Sequence, residues 1–396
     1  MTWIARQGQL AWGIDPKGDG AHVGQWDMRT GKVRELCVVP DAGHYNVNIT
    51  GTGGVVAINC YGNFYRFDRQ TSQIESSRWL ATDSIGHIDC LRRMDSERLL
   101  GTPFITQRFF EVNLRTKKGF DCGRAAPGGG EILKTWKIHG RIYMAAYTGA
   151  ELMEYDPSLP IGFPENPRMV AKPLSGMRPI ADADDGRNIY YACSHHYAKL
   201  GCVLTKYDTR TGVAFYADDP VPGQAIRSMV YDKTSGMLLC GTNHQADCST
   251  CPPDSNRSYL VKINAADLKV VEKIAMPEGI GSTGVYGWLD KNSLLCTGFS
   301  FEHKSRRWFT FQKDKNGVPE WEDMRAWTDD WSQFIYAGKP GLFVLLNKHS
   351  LELWDMKRVK KRRTLMARCP AGRVFVDDRS VLLAMQKQIV ILDNCL

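Results

Sequence analysis

The sequence predicts an all-β fold: a single β-propeller of four-stranded antiparallel blades spanning residues 1–396. Three observations carry this. Short β-rich runs separated by Gly, Asp, Asn and Pro recur from end to end, and apolar spacing at i, i+3, i+4 and i+7 is nearly absent. A signature also recurs in which an apolar or aromatic strand ends in Asp or Asn and passes straight into a polar turn. Finally, the modules that this signature marks are each about one blade in length.

The signature appears at Trp26-Asp27, Phe67-Asp68, Val112-Asn113, Tyr155-Asp156, Tyr207-Asp208, Ile263-Asn264, Trp354-Asp355 and Leu392-Asp393. Asp and Asn side chains bond their own downstream backbone and tolerate turn dihedrals, so they end one strand and start a tight hairpin. In a propeller this is the link between the third and fourth strands. Modules begin near residues 44, 85, 130, 178, 224, 282 and 332, with partial modules at 1–40 and 370–396. Eight blades fit this count best, within a range of seven to nine. The two partial ends are expected to join in one blade and close the ring, which hides sheet edges that would otherwise invite aggregation.

Composition bounds the function. The chain is 43% hydrophobic and 24% charged, that of an ordinary globular protein. No run approaches the roughly 18 to 20 apolar residues of a membrane span, and Met1 to Gln9 lack the apolar core of a secretion signal. The net charge of +8 is spread along the chain apart from Lys357–Arg363, a solvated rim, so nucleic acid is not an expected partner. Twelve cysteines are an even number. Cys60, Cys90, Cys193, Cys202, Cys240 and Cys296 lie in or beside strand-like runs, where a reduced thiol acts as a small hydrophobe. A reduced cytoplasmic protein is the simplest account; a disulfide-bonded protein exported by a removed leader is the competing one.

In a propeller the second-to-third strand loops and the interblade links share the face around the central channel mouth. By this rule His22, His195, His196, His244, His303 and His349 fall in such loops, His44 and His87 at interblade links, and His139 alone on the opposite face. Tyr61, Arg108, Arg178, Tyr197, Lys199, Arg227, Arg306 and Arg307 join them. Guanidinium groups pair bidentately with carboxylate or sulfate, so an anionic small or polymeric ligand is expected. The densest stretch is Ser194-His195-His196-Tyr197-Ala198-Lys199, where imidazole and phenol can supply a base and an acid. The bland alternative is that these rings merely pack and hydrogen-bond.

A second constellation is Cys240, His244, Cys248 and Cys251, spaced C-x3-H-x3-C-x2-C across a Pro, Cys and Ser-rich loop at 247–258. Three thiolates and an imidazole make a tetrahedral zinc set; a local disulfide or a buried Cys240 is the alternative. Gly128-Gly129-Gly130 is read as an interblade link, since no helix follows it.

Tyr147-Thr148-Gly149-Ala150-Glu151-Leu152 leading to Tyr155-Asp156-Pro157, and Tyr197-Ala198-Lys199-Leu200-Gly201 leading to Tyr207-Asp208, resemble bacterial β-propellers of the quinoprotein-like and YVTN-like kind. Within that world the His, Tyr and Arg face resembles propeller-type polysaccharide lyases, which cleave uronate polymers by β-elimination. The resemblance implies His195 or His196 as base, Tyr197 as acid and Arg178 or Arg227 as carboxylate neutraliser. His87, Lys199, His244, His303 and Arg306 would bind substrate. The alternative is a noncatalytic propeller that takes a protein or glycan partner through the same face.

Overall fold

A computed structural model describes residues 2–17, 20–39, 45–49, 55–59, 63–67, 74–78, 87–247, 251–313, 320–322, 331–347, 350–369, 372–377, 379–385 and 389–396. All regular structure among them is strand, paired antiparallel in chain order. Four-stranded sheets span 2–39, 45–78, 88–124, 132–171, 176–218, 225–275, 282–322 and 331–367, and a three-stranded sheet spans 373–392. The sheets at 225–275 and 282–322 share only the pairing of Asn243 with Ser282. First strands therefore start at residues 45, 88, 132, 176, 225, 282 and 331, within three residues of the expected module starts.

The turn chemistry is as expected. The carboxylate of Asp27 accepts the amides of Arg29 and Thr30, that of Asp208 those of Arg210 and Thr211, and the side-chain oxygen of Asn113 those of Arg115 and Thr116. Each sits at the end of a third strand. Asn264 does the same for Ala266.

Sheets face each other through apolar clusters, because alternate residues of a strand point to opposite neighbours. On the second strand Asn188–His195, Tyr190 and Ala192 pack toward the sheet at 225–275, while Ile189, Tyr191 and Cys193 pack toward the sheet at 132–171. A strand buried on both faces reads as a continuous apolar run rather than an alternating one, as Ile189–Cys193 does. Each fully buried large side chain contributes roughly 1.5–3 kcal/mol.

From 88 to 392 the first strands of seven sheets are neighbours in chain order, and the last of them, Arg373–Asp377, packs on the first, Ile88–Arg93. An apolar cluster lies at each of the seven interfaces among the described residues. The closing one contains Leu91, Leu99, Leu382 and Ala384. Polar bonds reinforce it. Asp377 Oδ2 accepts the Arg93 amide at 2.7 Å, Arg93 Nη2 meets Asp393 Oδ1 at 2.6 Å, and Arg373 Nη1 meets Asp89 Oδ1 at 2.6 Å.

This differs from the expected joining of N- and C-terminal strands in one blade. Residues 2–39 already form a complete four-stranded sheet, whose first strand neighbours the first strand of the sheet at 45–78. The C-terminal sheet closes instead on the sheet at 88–124, by packing and ion pairs.

Candidate functional site

The interblade links and second-to-third loops around the first-strand starts bring together side chains from three sheets. Gly176–Asp184 carries Arg178 into register with Ser194 on the adjacent strand. Asp247, in the loop after Met237–Asn243, binds both: Arg178 Nε donates to Asp247 Oδ2 at 2.9 Å and Ser194 Oγ at 3.2 Å. The Arg178 guanidinium lies 4.0 Å over the ring of Tyr147, which follows the second strand of the sheet at 132–171. Tyr147 and Tyr197 join by their hydroxyls at 2.6 Å, and Tyr197 is 46% exposed.

The backbone holds Tyr147 in place. Its carbonyl accepts from the side-chain amide of Gln107, and its amide donates to the Glu131 carbonyl at 2.8 Å. Gly130 has φ +149, and a Cβ there would lie 2.4 Å from the Tyr147 carbonyl oxygen, so this link position requires glycine. Burial, reinforced by the bond to Tyr197, pushes the Tyr147 phenol up to about 12. Burial works against the Arg178 charge, but the hydrogen bond and charge of Asp247 outweigh it and hold the guanidinium protonated.

Beyond Tyr147 lie Glu131, Asp89 and His87, which act on one another electrostatically. Asp89 is pushed up to about 6 by burial, against the nearby Arg373 charge. On strand Ile132–Ile138 Lys134 pairs with Asp182 at 2.7 Å and senses the exposed Arg227. These residues carry both signs of charge: Arg178, Arg227, Arg373 and Lys134 stand with Asp247, Glu131, Asp89 and Asp182.

Of the sequence candidates, Arg178 and Tyr197 meet in this cluster. His195 does not. It follows Ser194 in an alternating strand, so its ring turns the other way, is 0% exposed, and places Nδ1 3.2 Å from the Ser175 carbonyl and Nε2 3.7 Å from Asp218. The ring expected to serve as a base thus lies apart from the Arg178–Tyr197 cluster. His196 and Lys199 are exposed in the following turn, closed by the Lys199 amide on the His196 carbonyl. His87 is exposed and stacks on Phe104 at 4.4 Å. His244 is buried, bonded through Nδ1 to the Ser255 carbonyl at 2.6 Å and stacked on Phe301. His303 and Arg306 are exposed at the hairpin of the sheet at 282–322. His22 lies within strand Gly20–Asp27, beside Glu35. Tyr61, His44 and His349 lie outside the described residues.

Among the described residues the zinc set is not assembled. Cys240 is wholly buried in the core with Leu238, Val261 and Ile263, and burial pushes its thiol far above the ordinary range, opposing the thiolate that zinc requires. Cys248 and Cys60 lie outside the described residues, and Cys251 is half-buried. Among the described residues no three His, Cys, Asp or Glu side chains are grouped to hold a metal ion. Cys90, Cys122, Cys193, Cys202, Cys240, Cys251, Cys296, Cys369 and Cys395 are free thiols.

Tyr147, Asp247, Gln107 and Glu131 escaped the functional reading of the sequence. The signal for Asp247 was its place at the start of the Pro, Cys and Ser-rich loop; Tyr147 stood in a repeat motif.

No protein-family model matches the sequence, and no curated protein does. Among solved structures, Kuenenia stuttgartiensis hydrazine synthase is similar at 12% identity and TM-score 0.53, over 80% of this chain and 98% of that one. The chain is a β-propeller. The propeller is also similar to an oligogalacturonate lyase in complex with manganese (12% identity, TM-score 0.49, 89% and 96% covered). A third neighbour is BamB from Moraxella catarrhalis (11%, 0.47, 87% and 94%). Likeness at such identities extends to the fold alone.

Proposed function

We propose that the protein is a noncatalytic binding propeller whose mouth takes a hydroxyl-rich glycan. The observation that carries this reading is the Tyr147–Tyr197 hydroxyl pair, two phenol oxygens from different sheets held 2.6 Å apart beside Arg178. Each phenol both donates and accepts, which suits sugar hydroxyls, and a rigid aromatic ring gives contact area at small entropic cost. Arg178 already has its counter-charge in Asp247, so it favours no polyanion.

Calorimetric titration with neutral, acidic and amino oligosaccharides tests this. At least one neutral oligosaccharide is expected to bind, and Tyr197→Phe to weaken it by about fivefold or more, the worth of roughly one hydrogen bond. A folded protein that binds none of the panel refutes the reading.

A second reading, β-elimination on a uronate polymer, is favoured by one observation. Tyr197 stands next to Arg178 of the neighbouring strand, with His196 exposed one residue before it, so an acid, a neutraliser and a base belong to one sheet. Formation of unsaturated uronate product, lost in His196→Ala, would establish it; silence across a panel of uronate polymers rejects it.

A further inference from the structure

We propose that Glu131 anchors an acceptor subsite for an ammonium group carried by the ligand of this mouth, an inference that rests on the mouth being the ligand site. Glu131 begins the link into strand Ile132–Ile138 and is 7% exposed. Its Oε2 is buried with no hydrogen-bond donor among the described residues. A buried carboxylate oxygen without a donor is costly and calls for a partner that supplies one. The Oε1 of Gln107, a residue 1% exposed in the loop between strands Arg98–Pro103 and Arg108–Asn113, is likewise buried and donorless, beside Gly128 of the link. The Gln107 amide nitrogen is already committed to the Tyr147 carbonyl, so the orphaned oxygen is fixed in place.

The surrounding charges do not relieve Glu131. Arg178 is bound to Asp247 and Arg373 to Asp89. Asp89 adds a second negative charge within electrostatic reach. What remains are two acceptor oxygens, on residues that both bond the Tyr147 backbone, with a negative bias from Asp89. An ammonium group has three donors and no acceptor, which matches this set; a carboxylate or sulfate does not. Among the described residues no metal-holding group of three forms here, which favours the organic cation over a divalent metal. The ligand class that follows is an amino-substituted glycan, its hydroxyls on the Tyr147–Tyr197 side and its ammonium at Glu131.

The test uses the full chain and two probes. Ethylammonium chloride is expected to raise the melting temperature saturably, where sodium chloride at equal ionic strength does not. Glu131→Gln should weaken ethylammonium about tenfold or more, as expected for a lost charge-assisted hydrogen bond. Asp89→Asn, a second variant, should weaken it by a smaller factor. Equal responses to ethylammonium and sodium, or undiminished affinity in folded Glu131→Gln, overturn the subsite; the salt contrast needs no variant. N-acetylglucosamine oligomers probe the mouth without the ammonium. Their failure with ethylammonium retained sinks the glycan reading alone, and the converse sinks the subsite alone.

Discussion

Replacing Gly130 by Ala should damage the mouth from behind. Gly130 sits at φ +149, and its added methyl would meet the Tyr147 carbonyl oxygen at 2.4 Å, the ring Cδ1 at 2.9 Å and the carbonyl carbon at 3.0 Å. Ordinary contacts are about 3.5 Å, so Tyr147 must retreat by about 1 Å, away from the Gln107 amide that holds its carbonyl. Holding a non-glycine residue at such a φ costs about 1–3 kcal/mol, and overpacking a further ~1–3 kcal/mol. Together these give about 4 kcal/mol, or a fall of roughly 5–10 °C in melting temperature. Gly140→Ala is the control. Gly140 is also left-handed, at φ +79, but has nothing within 4 Å of its Cβ position, so only the backbone cost of about 1 kcal/mol applies. Differential scanning calorimetry of the two variants isolates the steric part. Melting of Gly130→Ala within about 1 °C of Gly140→Ala would show that the link yields freely, and the reasoning would fail.

Two further outcomes are expected. Asp89, at about 6 in the fold against an ordinary value near 4, binds a proton more tightly folded than unfolded, so its contribution to stability falls as pH rises from about 4 to about 6; Asp89→Asn should flatten the pH dependence of melting across that window, and an unchanged slope would assign the dependence elsewhere. Asp377→Ala removes the acceptor of the Arg93 amide and the Arg92 contact at 3.8 Å, which should cost about 1–3 kcal/mol and speed proteolytic loss of the C-terminal sheet; parental cleavage rates would show that these bonds do not close the ring.

Much of the fold was legible because its punctuation is local. Asp27, Asn113, Asp208 and Asn264 bond amides two or three residues ahead, so the sequence itself marks where each third strand ends. Closure was not legible, since Asp89 meets Arg373 and Arg93 meets Asp377 each across 284 residues, with no local trace. The site was half legible. Arg178 and Tyr197 were found by composition and loop position. The inward turn of His195 was not legible because strand side chains alternate, so a one-residue difference exchanges mouth for interior. Cys240 and His244 have ligand chemistry but are buried, one within a strand and one just after it, which depends on packing against a neighbouring sheet. Asp247 acts on a sheet other than its own, a contact no single-blade reading exposes.

The buried thiols give the propeller its own set of reporters. Cys90, Cys193, Cys202, Cys240 and Cys296 stand in four successive or near-successive sheets of the ring, and burial raises Cys90 to about 11 and Cys202 to about 12. Alkylation needs the exposed thiolate, so each of these sulfurs stays silent until its own stretch of ring opens. The order in which a thiol reagent marks them would chart, position by position, which blades breathe first and whether the circle comes apart at its seam.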